Sequence, residues 1–208
     1  MRLVSRPSLQ MINNKLLRTL LLSGIAAAGL PAWAAAPPTQ AAASAPAETA
    51  SIAQLAADDQ ADRKREPPLS VAEMGLNDAA RRDKALGLLR GGALRSGQDW
   101  HDAALIFQHG ETDADARLAF ALATIAARLE PDSRSAAWLG AAAWDRLLMR
   151  RHRPQWYGTQ YVPSEDGKSW VLYEFDPGGA TDAERAAAGV DAAADIERSF
   201  PRQVRPAP

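Results

Sequence analysis

The most informative absence from this sequence is cysteine. The 208-residue chain contains none, so it forms no disulfide bond and carries no lipid-modified cysteine. Its fold therefore depends on a hydrophobic core and on hydrogen bonds.

The sequence also lacks the common motifs of catalysis and of metal binding. It contains no HExxH helix, no GxSxG turn and no glycine-rich phosphate loop. The three histidines, His101, His109 and His152, do not pair at the spacing of metal ligands, so we predict no metal and no cofactor. These absences make an enzyme less expected without excluding one.

The first residues have the pattern of an export signal. Four cations and no acidic residue form a positive N-terminal region, and an apolar run spans 16–30: Arg2, Arg6, Lys15 and Arg18 are the cations. Ala32-Trp33-Ala34 then matches the small-x-small pattern of a cleavage site. We predict a signal peptide over 1–34, with Met1 or Met11 as its start. A retained anchor is the alternative, but the run is shorter than the ~20 residues of a spanning helix.

Cleavage after Ala34 would leave an acidic protein. Removal of the four cations lowers the formal net charge from −1 to −5, which argues against non-specific nucleic-acid binding. We predict a periplasmic or secreted protein with no membrane contact after cleavage. Its partner is expected to be a protein, a peptide or an envelope ligand.

Composition divides the rest of the chain into four parts. Residues 35–50 are rich in Ala, Pro, Thr and Ser and predict a disordered tether. Residues 51–68 predict a short helix and a linker, 69–200 a helical domain, and 201–208 a frayed tail. The expected fold class is mainly α, with packed helical hairpins in an irregular bundle or solenoid-like array and one small C-terminal β-hairpin.

Apolar periodicity and capping residues carry the helix predictions. Ser70 and Glu73 have the spacing of a capping box, and Thr112 is a suitable N-cap for the next long helix. Four residues of that helix form an i, i+4, i+7, i+11 stripe that we expect to be buried: Leu118, Leu122, Ile125 and Leu129.

The C-terminal third has strand and turn signals. Residues 158–162 and 169–173 predict a hairpin about Asp166-Gly167. Thr181-x-x-Glu184 opens a short helix, and we expect Asp191 to cap a last one.

One stretch differs from the helix-forming sequence around it. Residues 153–161 read RPQWYGTQY and alternate side-chain amides with aromatic rings around Gly158. The preceding helix carries Asp145, seven residues after Trp138 and so on the same face. A carboxylate on a packed face needs a partner. Because Pro154 reverses the chain, we expect Asp145 or Arg146 to hydrogen-bond the loop at 157–160, whereas a catalytic carboxylate is the alternative.

His109 has two interpretations. It ends a helix after Ile106-Phe107, where it could cap backbone carbonyls. It could also act as a general base held by a carboxylate such as Glu111 or Asp145.

Three segments together resemble an uncharacterised bacterial domain family. The segments read IFQHG, AAWLGAAAWDRLL and PQWYGTQY; the family is marked by a Q-H-(A/G) element, a helical D-R pair and a Q-x-(Y/F)-G-T-Q motif. The upstream Asp59-Gln60-Ala61-Asp62-Arg63 matches a further D-Q-x-x-R element. The resemblance covers about 59–189 and implies no established activity. Its matching positions are Gln108, His109, Asp145, Arg146, Gln155, Tyr157, Gly158, Thr159 and Gln160.

Two functions are consistent with this sequence. The first is a non-enzymatic exported module that binds an envelope component, a peptide or a protein. The second is a hydrolase in which His109 is the base and the loop at 157–160 donates hydrogen bonds to substrate. Convergence of His109, Asp145 and Gln160 on an open cleft favours the enzyme, and mutual satisfaction inside the core favours the binding module.

Overall fold

A computed structural model describes residues 50–201 and 203–204. The predicted signal peptide and residues 35–49 of the predicted tether lie outside this part of the chain. None of the helices within it is long and apolar enough to span a membrane.

The described part of the chain is mainly helical with a small sheet near its C-terminus, which confirms the predicted fold class. Seven helices and three strands follow one another in the order α1 Ile52–Arg63, α2 Val71–Arg90, α3 Gly97–Gln108, α4 Asp113–Leu129, α5 Arg134–Arg150, β1 Tyr161–Pro163, β2 Trp170–Tyr173, α6 Asp182–Ala187, α7 Ala193–Ser199 and β3 Gln203–Val204.

The first five helices share one hydrophobic core. α4 packs between α3 and α5, and α1 packs against α2 and α3. α1 adds Ile52, Leu55 and Ala56 to the same core as Phe107 and Leu139. The helix predicted at 51–68 therefore belongs to the packed body, because its apolar face is needed to cover α3.

Side-chain caps begin the longer helices as the sequence indicates. Ser70 and Glu73 form a reciprocal capping box on α2, and Thr112 forms one with Asp115 on α4. Thr181 and Glu184 do the same for α6. The last helix differs from its prediction, because Ala192 and not Asp191 occupies its N-cap and no side chain accepts a hydrogen bond there.

The buried face of α4 is not the predicted leucine stripe. Leu122 is buried, but Ile125 and Leu129 are 37% and 53% exposed. The buried positions of α4 are mostly alanines: Ala116, Ala119, Ala123 and Ala126. Small side chains let the helix backbones approach closely, so α4 packs between its neighbours through its alanines and leaves the larger residues at the edge.

The predicted hairpin is present and gains a third strand. β1 pairs antiparallel with β2, with Val162 opposite Val171. β3 comes from the segment predicted to be a frayed tail and pairs parallel with β2 through Gln203 and Val204. β1 begins at Tyr161, three residues later than predicted, because the preceding residues are held by α5.

Candidate functional site

Asp145 of α5 holds the loop between α5 and β1. The carboxylate is 0% exposed. It accepts hydrogen bonds from the backbone N–H groups of Trp156 at 2.8 Å and of Tyr157 and Thr159 at 3.1 Å, and from Thr159 Oγ1 at 2.9 Å. The predicted contact between Asp145 and the loop is therefore confirmed. We call Asp145 and residues 155–160 the aspartate lock.

Gly158 supplies the turn that aims these N–H groups at one carboxylate. Its φ is +74°, a conformation that a side chain disfavours. A Cβ at this position would also meet the Ile196 side chain at 3.1 Å. Both the backbone conformation and the packing therefore favour glycine here.

Two glutamines complete the lock. Gln155 is 0% exposed and donates from Nε2 to the carbonyl oxygens of Gln160 and Tyr173 at 2.9 and 2.8 Å. Its Oε1 accepts from Gln160 N at 2.8 Å. The Gln160 amide group donates to Ala142 O of α5 at 3.1 Å. These bonds connect the loop to β2 and to α5.

The electrostatics of the lock are unusual because backbone and hydroxyl donors surround the carboxylate. Burial raises the pKa of Asp145 above its usual value, although the bonds from Trp156, Thr159 and Tyr157 oppose this rise. Every contact described above uses Asp145 as an acceptor. The ionised form thus fits the geometry, and burial is what disfavours it.

A buried arginine supports the loop from its other side. Arg185 of α6 is 1% exposed and donates to Trp156 O at 2.9 Å and to Pro177 O at 3.0 Å. Its guanidinium also lies 5.1 Å from the Phe175 ring centroid. Sequence reasoning missed Arg185, because nothing in DAERAA distinguishes it from a surface arginine.

His109 is separate from the lock in its contacts. Its Nδ1 lies 3.1–3.2 Å from the carboxylate oxygens of Asp59 on α1. The partner is therefore Asp59, and the predicted partners Glu111 and Asp145 were wrong. A residue fifty positions away reaches His109 because α1 packs against α3.

Asp59 is the centre of a charged network, which we call the aspartate–arginine cluster. Asp59 is 1% exposed, and Arg63 donates to it at 2.8 Å. Arg63 also contacts Asp78 of α2 at 2.8 Å, and Arg81 contacts Asp78 at 3.0 Å. Burial opposes the charge of Asp59, but the hydrogen bond and charge of His109 and the charge of Arg63 hold its pKa below the usual value.

Two further predicted residues each have one buried polar atom without a hydrogen-bond partner among the described residues. Gln108 is 6% exposed, and its Oε1 has no hydrogen-bond partner among the described residues. The same holds for the buried Nε of Arg146. Burial, together with the charges of Arg150 and Arg63, lowers the pKa of Arg146. The charge of Arg63, a member of the aspartate–arginine cluster, therefore acts on Arg146, whereas Asp145 belongs to the lock.

Tyr157 lines two cavities. One, of about 320 Å³, lies between α4 and α5 and includes Phe120 and Arg128. The other, of about 220 Å³, includes Trp138, Tyr161 and Asp191. Burial, followed by the charge of Glu184, raises the pKa of Tyr157, so its hydroxyl stays protonated at neutral pH.

No group of three or more metal-ligating side chains is present within 50–201 and 203–204. No protein-family model, curated protein or solved structure matches the chain. The resemblance to the uncharacterised domain family therefore stays a prediction, and the roles of its residues rest on their geometry.

Proposed function

We propose that this chain is an exported, non-enzymatic binding module of the cell envelope, whose ligand contacts the surface around Tyr157. The observation that carries this proposal is that the aspartate lock fixes a loop in which Tyr157 lines two cavities. A loop held by its backbone loses little entropy when a ligand binds, so its contacts convert efficiently into affinity.

The hydrogen-bond donors of the lock already have acceptors within the protein, and this favours binding over hydrolysis. The N–H groups of Tyr157 and Thr159 donate to Asp145, and Gln160 N donates to Gln155. These donors are the ones that the hydrolase hypothesis assigned to substrate. Because protein acceptors already occupy them, the loop supports its own conformation.

A hydrolase with His109 as general base is a second candidate, and one observation favours it. Asp59 contacts Nδ1 of His109, and a carboxylate on one ring nitrogen orients the other to accept a proton. Candidate ester, amide and phosphoester substrates can be incubated with the parent and with His109→Gln. Turnover by the parent that the variant lacks would support this candidate, and equal turnover would remove it.

Export is part of the proposal and has its own test. The cations, apolar run and Ala32-Trp33-Ala34 of residues 1–34 support cleavage after Ala34. N-terminal sequencing of protein recovered from the periplasm should begin at Ala35. A mature form that begins at residue 1 or 11 would contradict export by this signal.

The binding proposal is tested by a melting screen against envelope fractions and purified fragments. A ligand present at a hundred times its Kd stabilises the native state by about 2.7 kcal/mol, which corresponds to several degrees in Tm. Trp138→Ala removes an exposed aromatic of the smaller cavity, and Trp170→Ala removes one outside both cavities as a matched control.

We expect at least one fraction to raise the Tm of the parent and of Trp170→Ala but not that of Trp138→Ala. No Tm rise with any fraction would contradict a ligand site at Tyr157. An equal rise in all three proteins would contradict a site in the smaller cavity, which is the one that Trp138 lines.

A further inference from the structure

The smaller cavity beside the lock has an uncommon lining. Four aromatic rings line it, contributed by Trp138, Tyr157, Tyr161 and Phe200. The only charged residue among its lining residues is the carboxylate of Asp191. Aromatic walls with one acidic group are suited to a ligand that is both apolar in surface and positively charged.

The walls of this cavity are held in place by contacts that need no ligand. Tyr161 and Phe200 pack edge to face, with ring centroids 5.4 Å apart. The backbone of Tyr157 is fixed by Asp145. Trp138 and Tyr161 remain 42% and 38% exposed, so their rings are accessible to a molecule that enters.

Asp191 makes no hydrogen bond or ion pair within the described residues, and its charge acts on the cavity. Asp191 and Tyr161 line the same cavity, and burial and then the charge of Asp191 raise the pKa of Tyr161. Arg198, the cation of α7, is paired with Asp195 at 2.6 Å. The negative charge of Asp191 is therefore available to a ligand.

We propose that this cavity binds a trimethylammonium group, with the aromatic rings around the methyl groups and Asp191 balancing the charge. The faces of aromatic rings attract cations, because the ring quadrupole is negative there. A quaternary ammonium suits such walls better than a lysine, because it carries charge without N–H groups that need hydrogen-bond acceptors. The volume of about 220 Å³ fits a small headgroup. This inference rests on the proposed binding function and names its ligand class.

The test compares choline with 3,3-dimethylbutanol, a neutral molecule of the same shape, by titration calorimetry on the protein. We expect choline to bind and the neutral molecule to bind at least about tenfold more weakly, which is about 1.4 kcal/mol. Because this comparison uses the parent protein, it does not depend on whether a variant folds.

Variants then locate the site. Trp138→Ala and Asp191→Asn should each weaken choline binding about tenfold, whereas Trp170→Ala should leave it unchanged. Trp138→Phe keeps an aromatic face and should recover part of the affinity. Vesicles of phosphatidylcholine and free choline distinguish a lipid headgroup from a soluble ligand, and binding of either one supports the site.

Two results would overturn the inference and leave the binding function standing. One is equal binding of choline and 3,3-dimethylbutanol, which would show an apolar site without charge selectivity. The other is no binding of choline or of the vesicles while an envelope fraction still raises the Tm in a Trp138-dependent manner. No response to any probe or fraction would count against both proposals.

Discussion

Two aspartates of this protein are almost completely buried and are stabilised in different ways. Asp145 is surrounded by backbone N–H groups and one hydroxyl, whereas Asp59 contacts Arg63 and His109. Burial disfavours both charges, yet the pKa of Asp145 is raised and that of Asp59 is lowered. The difference shows that formal cations nearby, and not burial alone, decide which carboxylate is easily ionised.

The two carboxylates also stabilise different kinds of structure. Asp145 fixes a loop that has no regular structure of its own. Asp59 joins helices α1 and α3, which also share apolar contacts. Removal of Asp145 should therefore be the more damaging change.

The largest effect is expected from Asp145→Ala. The change leaves four partly buried donors without their acceptor, so we expect a loss of several kcal/mol, on the order of the 3–5 kcal/mol that follows removal of one partner from a buried charge pair. Asp145→Asn should lower the free energy of unfolding by less, because the remaining side-chain oxygen still accepts hydrogen bonds from the loop. The NH₂ group that replaces the second oxygen cannot accept, so some of the loop donors stay without a partner. Urea denaturation of both variants beside the parent measures the difference. Near-zero effects from both would mean that Asp145 does not hold the loop.

Asp59→Asn should cost less than Asp145→Ala. Arg63 keeps its contact with Asp78, so the change leaves the cation partly paired, and we expect a loss of about 1–3 kcal/mol. The same urea experiment gives the value. A loss larger than that of Asp145→Ala would reverse the ranking of the two regions.

Gly158→Ala examines the geometry of the lock without changing its charges. Gly167 is the matched control, because it also has a positive φ, +66°, but no atom within 4 Å of an added Cβ. The conformational strain of about 1–2 kcal/mol applies to both, and the contact with Ile196 is added only at Gly158. We expect Gly158→Ala to be the more destabilising of the two in thermal melts, and equal losses would show that packing against Ile196 is unimportant.

The smallest effects are expected in the pH dependence, and they differ in sign. The folded pKa of Asp59 is lowered, so its contribution to stability is present above its unfolded pKa and is lost as the pH falls through the folded value. The folded pKa of Asp145 is raised, so its contribution is present below the unfolded pKa and is lost as the pH rises through the folded value.

Urea melts between about pH 3 and 6 compare the parent with Asp59→Asn and with Asp145→Asn. The quantity compared is the free energy of unfolding of the parent minus that of the variant. It should grow with pH for Asp59→Asn and shrink with pH for Asp145→Asn. Slopes of the same sign would contradict the opposite pKa shifts.

Much of the fold follows from local patterns in the sequence. Capping residues such as Ser70 and Thr112 act within three positions, so they predict helix starts reliably. The contact of Asp145 with the loop was also predictable, because Pro154 returns the chain to α5 within about ten residues. The expected burial of the leucine stripe on α4 was wrong in part. Apolar periodicity singles out the largest apolar residues as the buried ones, whereas close packing of helices places small residues such as alanine at the contact.

The contacts that the sequence did not indicate are distant ones. Asp59 and His109 meet only through the packing of α1 on α3, and β3 reaches β2 across two intervening helices. Such pairs depend on tertiary structure and have no local spacing that reveals them. The cavities around Tyr157 depend in the same way on residues from α4, α5 and α7.

The lock also limits how this chain can be divided. A fragment that ended at Arg153 would contain all five helices of the main core, yet Asp145 would lose every donor described for it. Likewise, a fragment that began after α5 would leave the amides of residues 156–159 without their acceptor. The helical body and the small sheet are therefore unsuitable for separate expression, and a split between them is expected to yield two polypeptides that fold only when they are combined.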